Sequence, residues 1–123
     1  MLIEKLAQNN FLIKKNDYYI VKELYKPSVK KLIAIEAKLN NWKEGFYQAL
    51  RYQCFSHQSY LALSSEKIKN VDTNLLIAHK IGLISVFKDK IKFIINPRVT
   101  KPKNITAYYH LSKYIVCQNK MIN

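Results

Sequence analysis

The sequence is poor in acid. Asp and Glu number 8 against 21 Lys and Arg, which leaves a formal charge of +13. An excess of that size favours a polyanionic partner, either nucleic acid or an anionic membrane surface. Long apolar runs are lacking too: none approaches the roughly 18–20 residues of a membrane-spanning helix, and the opening MLIEKLAQNN has no secretory-signal pattern. The expectation is a soluble, intracellular (cytoplasmic) protein with no membrane partner. The two cysteines, Cys54 and Cys117, are far apart and form no CxxC pair, which argues against a disulfide framework and predicts buried, reduced thiols. His57, His79 and His110 share no metal-ligand spacing, so zinc is not expected. With only two glycines and three prolines, and no repeats or low-complexity linker, the elements should follow one another closely.

What is present is the composition of an ordinary globular protein. The chain has 123 residues, 49% of them apolar, which suits a single domain spanning 1–123. Leu2, Ile3 and Leu6 predict a short N-terminal helix, and residues 11–15 (FLIKK) a strand. Residues 18–24 (YYIVKEL) and 31–38 (KLIAIEAK) are rich in strand formers and flank Lys26-Pro27-Ser28, a turn signal, so the two strands are expected to pair as a hairpin. The four apolar residues of LIAI suggest that the second strand is buried on both faces. Asn40-Asn41 caps a helix over about 42–56 that carries Phe46, Leu50 and Cys54 on one face. SYLALS (59–64) is a strand, Asp72 caps a helix through His79, and Gly82 sits where that helix should end. Residues 83–87 and 91–95 read as a second hairpin through Lys88-Asp89-Lys90, and 104–118 as a final helix bearing Ile105, Tyr108, Leu111 and Ile115. The order predicts a mixed α/β domain built on a central sheet.

The chemistry concentrates where the strand 31–38 ends. Glu36 and Lys38 are two residues apart, so on a strand they share a face with their roots roughly 7 Å apart. A carboxylate and an ammonium so placed can address a divalent cation and the phosphate it holds. A second carboxylate comes from across the expected hairpin. A two-residue loop at Pro27-Ser28 sets Asp17 opposite Lys38, and a four-residue loop from Tyr25 sets it opposite Glu36. Both even-length loops put Asp17 on the face of Glu36. Glu23 shares that parity but lies roughly 13 Å along the strand, too remote to share an ion. On the helix that follows, Gln48 and Tyr52 are four residues apart and form a polar pair on one side, with Arg51 beside them.

The run IAIEAKLNNWKEGFYQALRYQ…SYLAL resembles the PD-(D/E)XK nuclease superfamily, the restriction-endonuclease-like fold, in the branch carrying a Gln-x-x-x-Tyr motif. The likeness covers 31–64 well and 82–95 more loosely. It implies an αβββαβ core plus a C-terminal hairpin and helix, with a central mixed sheet flanked by helices. It also implies a metal-dependent nuclease hydrolysing DNA phosphodiesters, with Mg²⁺ (or Mn²⁺) as cofactor. The family's Glu and Lys carry over to Glu36 and Lys38, and its Gln and Tyr to Gln48 and Tyr52. Its Asp falls on Asp17, with Ser28 as the rival position. Glu4 is the one candidate for the acidic residue of the family's N-terminal helix. In that reading Asp17 and Glu36 bind the metal, Lys38 positions the attacking water, and Gln48 and Tyr52 orient the lysine or meet the DNA backbone. Lys43, Arg51, Lys67 and Lys69 are the expected nucleic-acid contacts, DNA being favoured over RNA, with Lys101 and Lys103 as surface charge. The alternatives are a nuclease-fold binding or assembly module without catalysis, and a homodimer that cuts both strands.

Overall fold

The computed structural model describes residues 12–21 and 29–122. The expected N-terminal helix with Glu4, the end of the second strand with Glu23, and Pro27-Ser28 lie outside the described residues. Strands β1 (Leu12–Lys15) and β2 (Tyr18–Val21) form an antiparallel hairpin of their own, Lys15 opposite Tyr18. Asn16 and Asp17 make its two-residue turn, a sequence type suited to so tight a reversal.

A second sheet carries the rest. Its strands are β3 (Ile33–Lys38), β4 (Gln58–Ser64), β5 (Ile81–Phe87) and β6 (Lys90–Ile95), in that spatial order. The first three run parallel and β6 returns antiparallel, giving a mixed sheet within an α/β fold. The pairing expected between residues 18–24 and β3 is not among these sheets. The two-residue turn at Asn16-Asp17 pairs β2 with β1, its nearest neighbour in sequence.

Each parallel step is bridged by helix. Between β3 and β4 lies α1 (Trp42–Tyr52), and a 3₁₀ turn (Ser65–Asn70) and α2 (Thr73–Ala78) join β4 to β5. A long C-terminal helix, α3 (Ile105–Ile122), follows β6. Phe46 and Ala49 of α1 and Leu76 of α2 pack on Leu61, Leu63, Ile81 and Leu83, so both helices cover one sheet face. Trp42 packs at the rim of that core, as its place at the helix start suggests.

The start of α1 follows a simple logic. Asn41 adopts the left-handed conformation, φ 57°, and its Oδ1 accepts the Glu44 N–H at 3.2 Å while its Nδ2 donates to Glu44 Oε2 at 3.3 Å. The helix stops at Tyr52, earlier than expected, because the chain beyond it tightens into i→i−3 bonds. The Gln53 N–H donates to Leu50 at 3.2 Å, that of Cys54 to Arg51 at 3.1 Å and that of Phe55 to Tyr52 at 3.2 Å, while the Ser56 hydroxyl also donates to the Tyr52 carbonyl at 2.6 Å. Cys54 therefore lies past the helix and is exposed, as is Cys117, against the expectation of buried thiols. Gly82 does not end a helix either. It lies buried inside β5, where an added Cβ would stand 2.2 Å from the Tyr60 ring, and Lys80 at φ 58° makes the turn instead.

Strand β3 is not buried on both faces. Its exposure alternates, with Ile33 and Ile35 half-exposed and Ala34, Glu36 and Lys38 facing the helix side. On the opposite sheet face Tyr60, Ala62 and Ile84 form a smaller buried cluster, and the Tyr60 ring meets Phe93 edge-on at 5.6 Å. No helix among the described residues is long and apolar enough to cross a membrane.

Candidate active site

Glu36 and Lys38 leave β3 on the face that α1 covers, because residues two apart on a strand share a face. Alpha helix α1 presents Asn41, Gly45, Gln48 and Tyr52 at four-, three- and four-residue steps, a single stripe along one side. Gly45 makes the close approach feasible. A Cβ there would meet Leu61 Cδ1 at 2.5 Å and Lys38 Cγ at 2.8 Å, so the missing side chain leaves room for the lysine stem.

The polar ends meet above that contact. The Tyr52 hydroxyl donates to Glu36 Oε2 at 2.5 Å, a short bond to a charged acceptor. Lys38 Nζ lies 3.8 Å from Glu36 Oε1 and 3.4 Å from Glu44 Oε1. Glu36 and Lys38 are largely shielded, with side chains 15% and 22% exposed, whereas Glu44 is 56% exposed. The hydrogen bond to Glu36 holds the Tyr52 phenol above its usual pKa of 10. Burial and the Glu36 charge act in the same direction, and Arg51 opposes them. Two carboxylates against one ammonium leave an excess of negative charge here, within a chain that is otherwise strongly cationic.

The structure thus brings together Glu36, Lys38 and Tyr52 from the expected set and places Gln48 one turn before Tyr52 on the same stripe. Gln48 Oε1 is buried and has no hydrogen-bond partner among the described residues. Asp17 is not brought in by the pairing on which its place depended; it is exposed in the β1–β2 turn. Arg51 is exposed at the C-terminal end of α1, and Lys43 at its N-terminal end, where Lys67 lines a small cleft with Asn41 and Trp42. An 11-residue helix separates these ends by roughly 16 Å, so the four expected cations do not form one patch. Glu44 is the partner that sequence reasoning missed. Its signal was present in Asn41-x-x-Glu44, the spacing of an N-cap and the third helical residue, whose acid here meets both the Asn41 side chain and Lys38.

As donors for a hard divalent cation, the groups fit in kind. Glu36 supplies partly buried carboxylate oxygens, and Gln48 an amide oxygen with no partner to lose. In number they are few, since no three His, Cys, Asp or Glu residues cluster in metal-binding fashion among the described residues. No protein-family model, curated protein or solved structure matches the chain.

Proposed function

We propose that the chain is a Mg²⁺-dependent nuclease of the PD-(D/E)XK kind that hydrolyses DNA phosphodiesters. The observation that carries this reading is the meeting of Glu36, Lys38 and Tyr52, reached from separate sequence motifs on β3 and α1.

Glu36 is the residue that would hold the metal, with the Gln48 amide oxygen as a further donor and Asp17 as the ligand the family likeness adds. When bound, the cation would supply Lewis acidity at the scissile phosphate. The chain's own groups do the positioning. Tyr52 fixes the Glu36 carboxylate by donating to Oε2, so the oxygen that would meet a cation is Oε1, which Lys38 Nζ faces at 3.8 Å. The Lys38 ammonium, steadied between Glu36 and Glu44, is placed to orient a water and to offset negative charge that grows on the phosphoryl oxygens.

The second reading is a nuclease-fold binding module without catalysis. One observation favours it: β2 pairs with β1, and among the described residues no strand pairing carries Asp17 to Glu36. Asp17→Asn separates the two. In the catalytic reading this variant loses Mg²⁺-dependent plasmid cleavage while its melting temperature stays put. A wild-type protein that binds DNA yet never cuts it with Mg²⁺ or Mn²⁺ supports the binding module and refutes the nuclease.

A further inference from the structure

Four cations lie away from the site described above and line two adjoining concavities. One cleft, of about 320 Å³, is walled by Leu50, Gln53, His79, Lys80, Lys101 and Lys103, among others. The next, of about 310 Å³, shares Lys80 and adds Arg98 with Asn96 and Pro97. Among the described residues, no acid lines either one. Lys80, Arg98, Lys101 and Lys103 are all exposed, and none forms an ion pair among the described residues.

The backbone under these cations is fixed. The Thr100 N–H donates to the His57 carbonyl at 3.0 Å, the Lys103 N–H to Gln53 at 3.1 Å and the Asn104 N–H to Cys54 at 2.7 Å. Gln58 Nε2 holds the Pro97 carbonyl at 2.7 Å, and Pro102, between two exposed lysines, is buried. The same bonds answer the bland explanation that the lysines neutralise helix ends. The carbonyls of Gln53 and Cys54, just past α1, are already taken by backbone N–H groups, and that of His79 by Gln53 Nε2 at 2.8 Å. Lys80 also occupies the left-handed region, φ 58°, where glycine or asparagine would be the easier residue.

We propose that this double cleft is a second nucleic-acid contact, in which Lys80, Arg98, Lys101 and Lys103 hold successive backbone phosphates. For the identity of the polyanion the inference rests on the nuclease reading. For the location it rests on shape and charge alone. Concave walls with cations on a pinned strap suit a strand laid along them better than a flat layer of lipid headgroups. The contact is one of position and affinity and carries no base preference.

The test is fluorescence anisotropy with a labelled duplex and the matching single strand, in EDTA so that nothing is cut, across a salt series. The variant Lys80→Gln/Arg98→Gln/Lys101→Gln/Lys103→Gln should bind at least about tenfold more weakly, and its log–log salt slope on the duplex should fall by about 3–4, near one unit per lost phosphate contact. A control with the same loss of charge at exposed lysines outside the cleft and the candidate site, Lys30→Gln/Lys90→Gln/Lys92→Gln/Lys113→Gln, should lose less. The double variant Lys101→Gln/Lys103→Gln, at two exposed sites, should show about half the change in slope and guards against misfolding of the quadruple one. Equal loss in cleft and control variants would overturn the cleft while leaving a nucleic-acid role standing. Loss confined to the cleft variant in a protein that never cuts would uphold the cleft and refute the nuclease. Failure of the wild type to bind either oligonucleotide, or binding only to phosphatidylserine vesicles, would overturn both.

Discussion

Replacing Tyr52 by Phe deletes one atom from the candidate site and leaves the rest of the ring. That atom donates to Glu36 Oε2 at 2.5 Å in a partly buried setting. The ring's tilted contact with Phe55, at 5.6 Å between centroids, survives the change. A hydrogen bond to a charged group contributes about 1.5–3 kcal/mol when its partner is left behind. Because Glu36 keeps some access to water and keeps Lys38, the lower end applies, about 1.5–2 kcal/mol, or roughly 10- to 30-fold in the unfolding equilibrium. With a urea slope of about 1–3 kcal/mol per molar, the midpoint should fall by roughly 1 M. The loss should shrink in a Glu36→Gln background, since the charged acceptor is already gone. Spectrophotometric titration gives a second readout. The folded pKa of Tyr52 lies above its unfolded value of 10, so its stabilisation is present below about pH 10 and is lost as pH rises through the folded value. Tyr52→Phe should therefore flatten part of the alkaline stability loss. A urea midpoint within about 0.2 M of wild type, with an unchanged alkaline limb, would refute the bond as a structural determinant.

Gly45→Ala drives a methyl group into buried Leu61 and the Lys38 stem. Overpacking costs about 1–3 kcal/mol and helix propensity returns about 1; thermal melts should show a drop of roughly 4 °C per net kcal/mol, and a higher melting temperature contradicts the close approach. The His57 pKa is held below its ordinary value, mainly by burial and then by Lys31, and its Nδ1 accepts the Leu32 N–H at 3.0 Å, a bond that only the unprotonated nitrogen can accept. Its folded pKa lies below the unfolded 6.5, so stability is full above about pH 6.5 and declines as pH falls toward the folded value. Urea melts between pH 7.5 and 5 should show that decline, and His57→Asn, which keeps an acceptor but cannot titrate, should lessen it; identical slopes would remove His57 as the cause. Asp17→Asn should abolish Mg²⁺-dependent cleavage without moving the melt, and intact cleavage removes Asp17 from the site.

Much of the fold was readable because its signals are local. Tyr18–Val21, Ile33–Lys38 and Gln58–Ser64 are short runs of strand formers, and Asn41 and Asp72 cap the helices they were expected to cap, Asp72 by accepting the Leu75 N–H at 3.2 Å. The core of the candidate site was readable for the same reason: an i, i+2 pair on a strand and an i, i+4 pair on the next helix have only a few ways to meet. The errors lie where distant parts compete. Asn16-Asp17 could turn β2 back on β1 as easily as Pro27-Ser28 could turn it on to β3, and hydrophobic pattern alone does not choose between partners. Ile33 and Ile35 looked like core residues, yet β3 pairs on one side only among the described strands and half-exposes both. Gly82 carried the signature of a helix end, but its meaning is steric, set by the Tyr60 ring and Pro97 from remote parts of the chain. The basic double cleft was invisible because Lys80 and the 98–103 strap meet only after folding.

The measurement closest to the central claim is cleavage of supercoiled plasmid by the purified protein with Mg²⁺, with Mn²⁺ and with EDTA, beside Lys38→Met and Glu36→Ala. Met keeps the aliphatic stem that lies against Gly45 and removes only the charge. The account predicts metal-dependent cutting by the wild type, none in EDTA, and a loss of about 100-fold or more in both variants at unchanged folding. Wild-type protein that cuts nothing with either metal, or Lys38→Met that cuts as fast as wild type, would contradict it.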